Sequence, residues 1–105
     1  MSAFRVVLVS APKDKAEEMS TTIIENGLAA CVNIVDNVKS IYRWKGVIKT
    51  DREVLLIIKT ATKKVENLIK FVKENHYYEI PEVVSMTISE GNPDYLNWID
   101  EQTQA

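Results

Sequence analysis

The sequence predicts an α+β domain in which the elements run β-α-β-β-α-β and a further helix closes the chain. Three observations carry that prediction. Asp51 to Lys59 holds five consecutive apolar side chains (Val54, Leu55, Leu56, Ile57, Ile58) bounded by charge on both sides, which is strand length and rich in β-branched residues. Two stripes at helical spacing flank this run, Ala16-Met19-Ile23 before it and Val65-Leu68-Ile69-Val72 after it. Turn and breaker pairs at Ala11-Pro12, Asn26-Gly27, Lys45-Gly46, Ile80-Pro81 and Asn92-Pro93 then cut the chain into pieces of element length.

The first strand is Phe4 to Ser10 (FRVVLVS), a β-branched run ended by Ala11-Pro12. Pro12 suits a first helical turn, so the first helix is expected from Pro12 to Asn26, with Asn26-Gly27 closing it in a left-handed cap. Leu28 to Val35 is again nearly all apolar, and after Asp36-Asn37 the chain resumes with Val38, Ser40, Tyr42 and Trp44 alternating against Lys39, Ile41 and Arg43. That pattern predicts one long strand, bent or bulged in its middle, which Lys45-Gly46 turns back into a long hairpin. Thr60 or Thr62 is placed to cap the second helix, which frays at Glu74-Asn75-His76. Ile80-Pro81 starts the fourth strand, Glu82 to Ser89, and Asn92 with Pro93 opens a terminal helix through Tyr95, Leu96, Trp98 and Ile99.

This order is the ferredoxin-like pattern, two helices on one face of a four-stranded sheet. A central strand that does not alternate needs cover on both faces, and two helices supply only one. The remaining apolar face predicts a homo-oligomer that packs open sheets together, with the hairpin reaching onto neighbouring subunits.

At 105 residues the chain is read as a single domain, residues 1–105, with an ordinary soluble composition of 46% hydrophobic and 27% charged residues. A formal net charge of −2, with no basic stripe along the chain, argues against a nucleic-acid partner. The first apolar run is too short and too β-branched for a signal peptide, and no stretch reaches membrane-spanning length, so cytoplasmic localisation and no membrane contact are expected. The lone Cys31 suits a reducing compartment and forms no internal disulfide.

Cys31, within an apolar strand, reads first as a small buried hydrophobe and second as a soft thiolate ligand for copper or a similar ion. His76, the only imidazole, either offsets the dipole of the second helix or joins Glu79 and Glu82 in a mixed nitrogen and oxygen site. Tyr42 and Trp44 at the hairpin, and Tyr95 and Trp98 on the last helix, are aromatic anchors for an oligomer seam or, second, for a stacked ligand. Lys59 keeps a strand end wet or, beside Glu79 or Glu90, binds an anionic ligand. No glycine-rich phosphate loop, nucleophile elbow or metalloprotease helix occurs, so the residues favour a non-enzymatic small-ligand or metal-binding oligomer.

Five blocks, GLAACVNI (27–34), SIYRWKG (40–46), EVLLIIKT (53–60), EIPEVV (79–84) and EGNPDYLNWI (90–99), in this order and spacing resemble the CutA family of divalent-cation tolerance proteins. The resemblance covers essentially the whole chain. It implies a ferredoxin-like subunit in a tight homotrimer related in architecture to PII signalling proteins, cytoplasmic in bacteria, tied to tolerance of copper and other divalent cations, and with no established enzymatic activity. It places metal-ligand candidates at Cys31, His76 and Glu79. It also leaves an alternative, a PII-like signalling or scaffold trimer whose clefts bind a small anionic molecule or a partner protein through Tyr42, Trp44, Lys59, Glu90, Tyr95 and Trp98. One position departs from the family pattern: Tyr77 follows His76 where members commonly carry proline, which implies a looser loop beside the histidine.

Overall fold

A computed structural model describes residues 3–104. The predicted order holds: β1 (Phe4–Ala11), α1 (Lys13–Glu25), β2 (Cys31–Trp44), β3 (Val47–Ala61), α2 (Val65–Asn75), β4 (Val83–Thr87) and α3 (Pro93–Gln102). The strands form one antiparallel sheet in the order β2-β3-β1-β4, so the apolar run of β3 is interior to the sheet. Among the described residues, no helix is long and apolar enough to cross a membrane.

Both helical stripes pack as their spacing requires. Ala16, Met19 and Ile23 of α1 and Leu68 and Val72 of α2 meet Val7, Val9, Val54, Leu56 and Ile58 of the sheet in one core. In β3 the burial alternates: Val54, Leu56 and Ile58 are closed off beneath the helices, whereas Leu55 and Ile57 on the other face are only half-buried. Strand register places Leu8 between Ile57 and Val84, and Val6 between Lys59 and Met86, on that same open face. Val84 and Met86 are each 48% exposed there. The helices α1 and α2 therefore cover one side of the apolar sheet, and much of the other side is only partly covered, Tyr95 of α3 meeting Cys31 at one end of it.

Local chemistry accounts for the ends of the elements. Gly27 takes φ +66°, Leu28 N–H reaches back to Ile23 O at 3.1 Å and Gly27 N–H to Ile24 O at 3.0 Å, the paired bonds that close a helix with a left-handed residue. Lys45 and Gly46, both at positive φ, make the two-residue turn whose twist suits a hairpin. The register shifts between Val35 and Val38, the expected bulge, with Asn37 at φ +60°. Asp36 there is paired to Lys13 at 2.9 Å, and this cation, with the Asn37 backbone N–H, holds its carboxyl below the usual range. Asn92 caps α3 by accepting from Asp94 N–H at 3.0 Å.

Several boundaries differ from expectation, the start of β2 among them, which opens at Cys31 and not at Leu28. Pro12 is extended and precedes α1 instead of opening it. Neither Thr60 nor Thr62 caps α2: Thr60 belongs to β3, where its buried hydroxyl donates to Leu28 O at 2.7 Å, and a single 3₁₀ turn from Thr62 to Lys64 separates strand from helix. The fourth strand is shorter than Glu82 to Ser89, because β1 ends its pairing with β4 at Val9–Val83 and Arg5–Thr87.

Candidate functional site

The far halves of β2 and β3, beyond the bulge, leave the helical layer as a two-stranded arm that stretches the subunit to 44 × 25 × 23 Å. The angle between the base of this arm, the first turn of α1 and the 76–82 segment is a groove of about 1380 Å³. At its floor lies Glu53, buried to 9% exposure although it is charged. Ser40 Oγ donates to its Oε2, and the Tyr78 hydroxyl donates to Oε1 at 3.0 Å. Beside it the Tyr42 hydroxyl donates to Asp51 Oδ2. Trp44, Glu79, Ile80 and Glu82 complete the walls. Sequence reasoning took Glu53 as a flanking charge of the central strand and missed its role; the signal was its place two residues from Asp51 on one face of a strand, the two carboxylates diagonal to Ser40 and Tyr42 on the paired strand.

This network sets tyrosine chemistry. Burial first, and then the hydrogen bond to the Glu53 carboxylate, push the Tyr78 phenol well above its ordinary value; the hydrogen bond to the Asp51 carboxylate raises the Tyr42 phenol. A phenol whose folded-state value is raised contributes stability that is complete below the unfolded value near pH ~10 and is lost as pH rises through the folded one. Stability is therefore expected to fall on the alkaline side of about pH 10, and Tyr78→Phe should flatten that limb. The same substitution removes one donor from a buried carboxylate and should cost about 1 kcal/mol at neutral pH. Urea midpoints measured from neutral pH into the alkaline limb check both; an unchanged limb in the variant contradicts the assignment.

His76 ends α2 at one corner of this region, and both ring nitrogens are engaged. Nε2 lies 2.7 Å from Ser10 O, and Nδ1 accepts from Tyr78 N–H at 3.1 Å, which assigns the proton to Nε2. The ring thus ties the segment that lacks the proline to β1 and to Tyr78. Glu79 and Glu82 line the neighbouring groove, Glu82 accepting from Ser10 Oγ at 3.5 Å.

Cys31 stands at the other end of the sheet. It opens β2 directly opposite Lys59, which is opposite Val6 on β1, four residues or about 13 Å of strand from the Ser10 that holds His76. Its neighbour is Tyr95, whose phenol is raised by burial first and then by the Cys31 thiol, and which stacks on Trp98 with centroids 5.5 Å apart. Lys59 Nζ donates to Asn33 Oδ1 at this end, so it meets neither the groove nor Glu79. The predicted residues thus sort into two groups, Tyr42, Trp44, His76 and Glu79 around the groove and Cys31, Lys59, Tyr95 and Trp98 at the opposite end; Glu90 is exposed in the loop before α3. Among the described residues of a single chain, no three His, Cys, Asp or Glu side chains gather as a metal site.

Comparison with known proteins agrees with this architecture. Residues 5–102 match the family described as CutA1 divalent ion tolerance protein. The divalent-cation tolerance protein CutA of Thermus thermophilus is 44% identical over 99 residues, covering 93% of this chain and 96% of that protein. Among solved structures, CutA1 from Oryza sativa superposes with a TM-score of 0.94 at 42% identity, covering 98% and 95% of the two chains. A PII-like protein CutA from Nostoc superposes with a TM-score of 0.90 at 30% identity, covering 95% and 97%. The chain spans about half the length of several other curated relatives, 55% of the mouse protein among them. With a whole-length match in sequence and the same ferredoxin-like fold, the chain belongs to the CutA1 divalent ion tolerance protein family.

Proposed function

We propose that this protein is a non-catalytic divalent-cation tolerance protein that works in the cytoplasm as a homotrimer and binds metal ions, with copper the first candidate. The observation that carries the assembly is the half-bare sheet, with Val6, Leu8, Leu55 and Ile57 half-buried and Val84 and Met86 exposed on the face opposite α1 and α2. Membership of the family supports the link to metal tolerance.

The donor set suits a soft or borderline ion: the Cys31 thiol, the His76 imidazole and the Glu79 carboxylate. Cys31 lies apart from the other two within one chain, so a site that uses all three needs a neighbouring subunit. Coordination by His76 also displaces one of its two present partners, Ser10 O or Tyr78 N–H. Calorimetric titration with copper and with zinc tests the reading, on the wild type beside Cys31→Ser and His76→Ala. Binding stoichiometric with subunits and weakened about tenfold, roughly 1.4 kcal/mol, in either variant is the expected result. Wild-type affinity in both variants, or no tight binding at all, removes Cys31 and His76 as ligands.

The likeness to the Nostoc protein described as PII-like favours a second reading, a signalling or scaffold trimer that binds a small anion or a partner protein. Metal binding unaffected by both variants, together with a calorimetric signal for an anionic ligand lost in Lys59→Ala, would favour it.

A further inference from the structure

Arg5 is a cation on the core side of β1. It precedes Val7 and Val9 on the face that α1 and α2 cover, and the register sets it between Thr60 of β3 and Thr87 of β4. Its side chain is half-buried, and Nε is closed off from solvent with no hydrogen-bond partner. Nη1 donates to Ser85 Oγ at 3.4 Å, which is long for an N–H···O bond. Thr60 has committed its own hydroxyl to Leu28 O. No carboxylate answers the guanidinium: among the described residues the ion pairs are Lys13 with Asp36 and Lys63 with Asp100, and the exposed Glu66 of α2 and Glu90 of the loop after β4 join neither. A buried donor without an acceptor is destabilising, and more so when it belongs to a charged group. Ser85 and Thr87 share the core side of β4, the edge strand, and among the described residues neither hydroxyl donates to a protein group.

We propose that Arg5, Ser85 and Thr87 form a binding site for a phosphate-type oxyanion, either free phosphate or the phosphomonoester of a small molecule. A guanidinium offers paired donors in a planar fork that matches two oxygens of such an ion. The arginine stem is flexible, and turning the fork toward the β4 edge exchanges an unsatisfied buried donor for charge-assisted bonds to the ligand. A carboxylate fills the fork alone, whereas a tetrahedral phosphate has further oxygens for the two hydroxyls. Ser85 and Thr87 alternate with Val84 and Met86 along β4, so the site lies on the opposite face from the one assigned to subunit packing. It depends neither on that packing nor on metal binding.

Calorimetric titration with inorganic phosphate and with glycerol phosphate, at an ionic strength held constant with sodium chloride, tests it. One ligand per chain is expected, and the tighter of the two identifies the source. Affinity should fall about tenfold or more in Arg5→Met and in Arg5→Lys, which keeps the charge without the fork, and about threefold in Ser85→Ala. Urea unfolding adds a second readout. Without phosphate the midpoint of Arg5→Met should equal or exceed that of the wild type, because methionine keeps the apolar stem and removes the unsatisfied donor. Phosphate should then raise the midpoint of the wild type and leave that of Arg5→Met unmoved. No binding by the wild type at millimolar phosphate, wild-type affinity in Arg5→Met or Arg5→Lys, or an Arg5→Met midpoint below the wild type in the absence of phosphate overturns the proposal.

Discussion

Val84→Lys is expected to turn the proposed homo-oligomer into folded monomers. Val84 sits on the open face of β4 beside Leu8 and is 48% exposed in the single chain, so a subunit accommodates a lysine there with its ammonium in water. A sheet packed on other sheets offers no such escape, and an unpaired buried charge costs about 3–5 kcal/mol at each contact. Sedimentation velocity at micromolar concentration, with circular dichroism to verify the fold, reads the outcome. Wild-type assembly in the variant would mean that this face stays wet and that the subunits meet elsewhere.

Leu56→Ala addresses the opposite face of the same sheet. Leu56 is fully buried among Val9, Ile34 and the helices, and truncation removes packed atoms from a site that strands and helices hold rigid on both sides. The expected loss is about 3 kcal/mol from transfer and cavity together. Urea unfolding at a fixed subunit concentration, with an unchanged slope and a lower midpoint, checks it. A loss below about 1 kcal/mol would show that the core closes over the cavity. The pair of substitutions separates the two faces of one sheet: the first is expected to abolish the proposed assembly with the fold kept, and the second to weaken the fold itself.

What the sequence revealed follows from the range of the forces involved. The core was legible because its pattern is local: five apolar residues in β3, two helical stripes, and turns whose glycines, Gly27 and Gly46, adopt positive φ at little cost. The bulge at Asp36-Asn37 was legible for the same reason, two polar residues interrupting an apolar strand. The open face was legible by counting, since two helices cannot cover two sides of a sheet. The site was less so. His76 is held by Ser10, 66 residues earlier, and nothing in the run Glu74 to Glu79 announces that partner. Glu53 looked like a solvated end of a strand, and its burial is explained by the β2–β3 pairing that sets Ser40 beside it together with the loop after α2 that brings the Tyr78 hydroxyl onto it. Thr60 misled for a related reason: as a β-branched residue it serves the strand, and its hydroxyl finds a carbonyl 32 residues away instead of the helix it precedes.

The closing turn of α1 bears on how the molecule ages. Asn-Gly is the dipeptide most prone to deamidate, because the unhindered glycine nitrogen attacks the asparagine side chain and forms a cyclic imide. Here Gly27 N–H is committed to Ile24 O at 3.0 Å, and the Asn26 amide is held by Thr22 O at 2.8 Å. The nucleophile and its target are both restrained by the cap that ends the helix. Conversion to aspartate and isoaspartate at this exposed corner is therefore slow for as long as the cap stays closed, and the unfolded chain loses that chemical protection together with its fold.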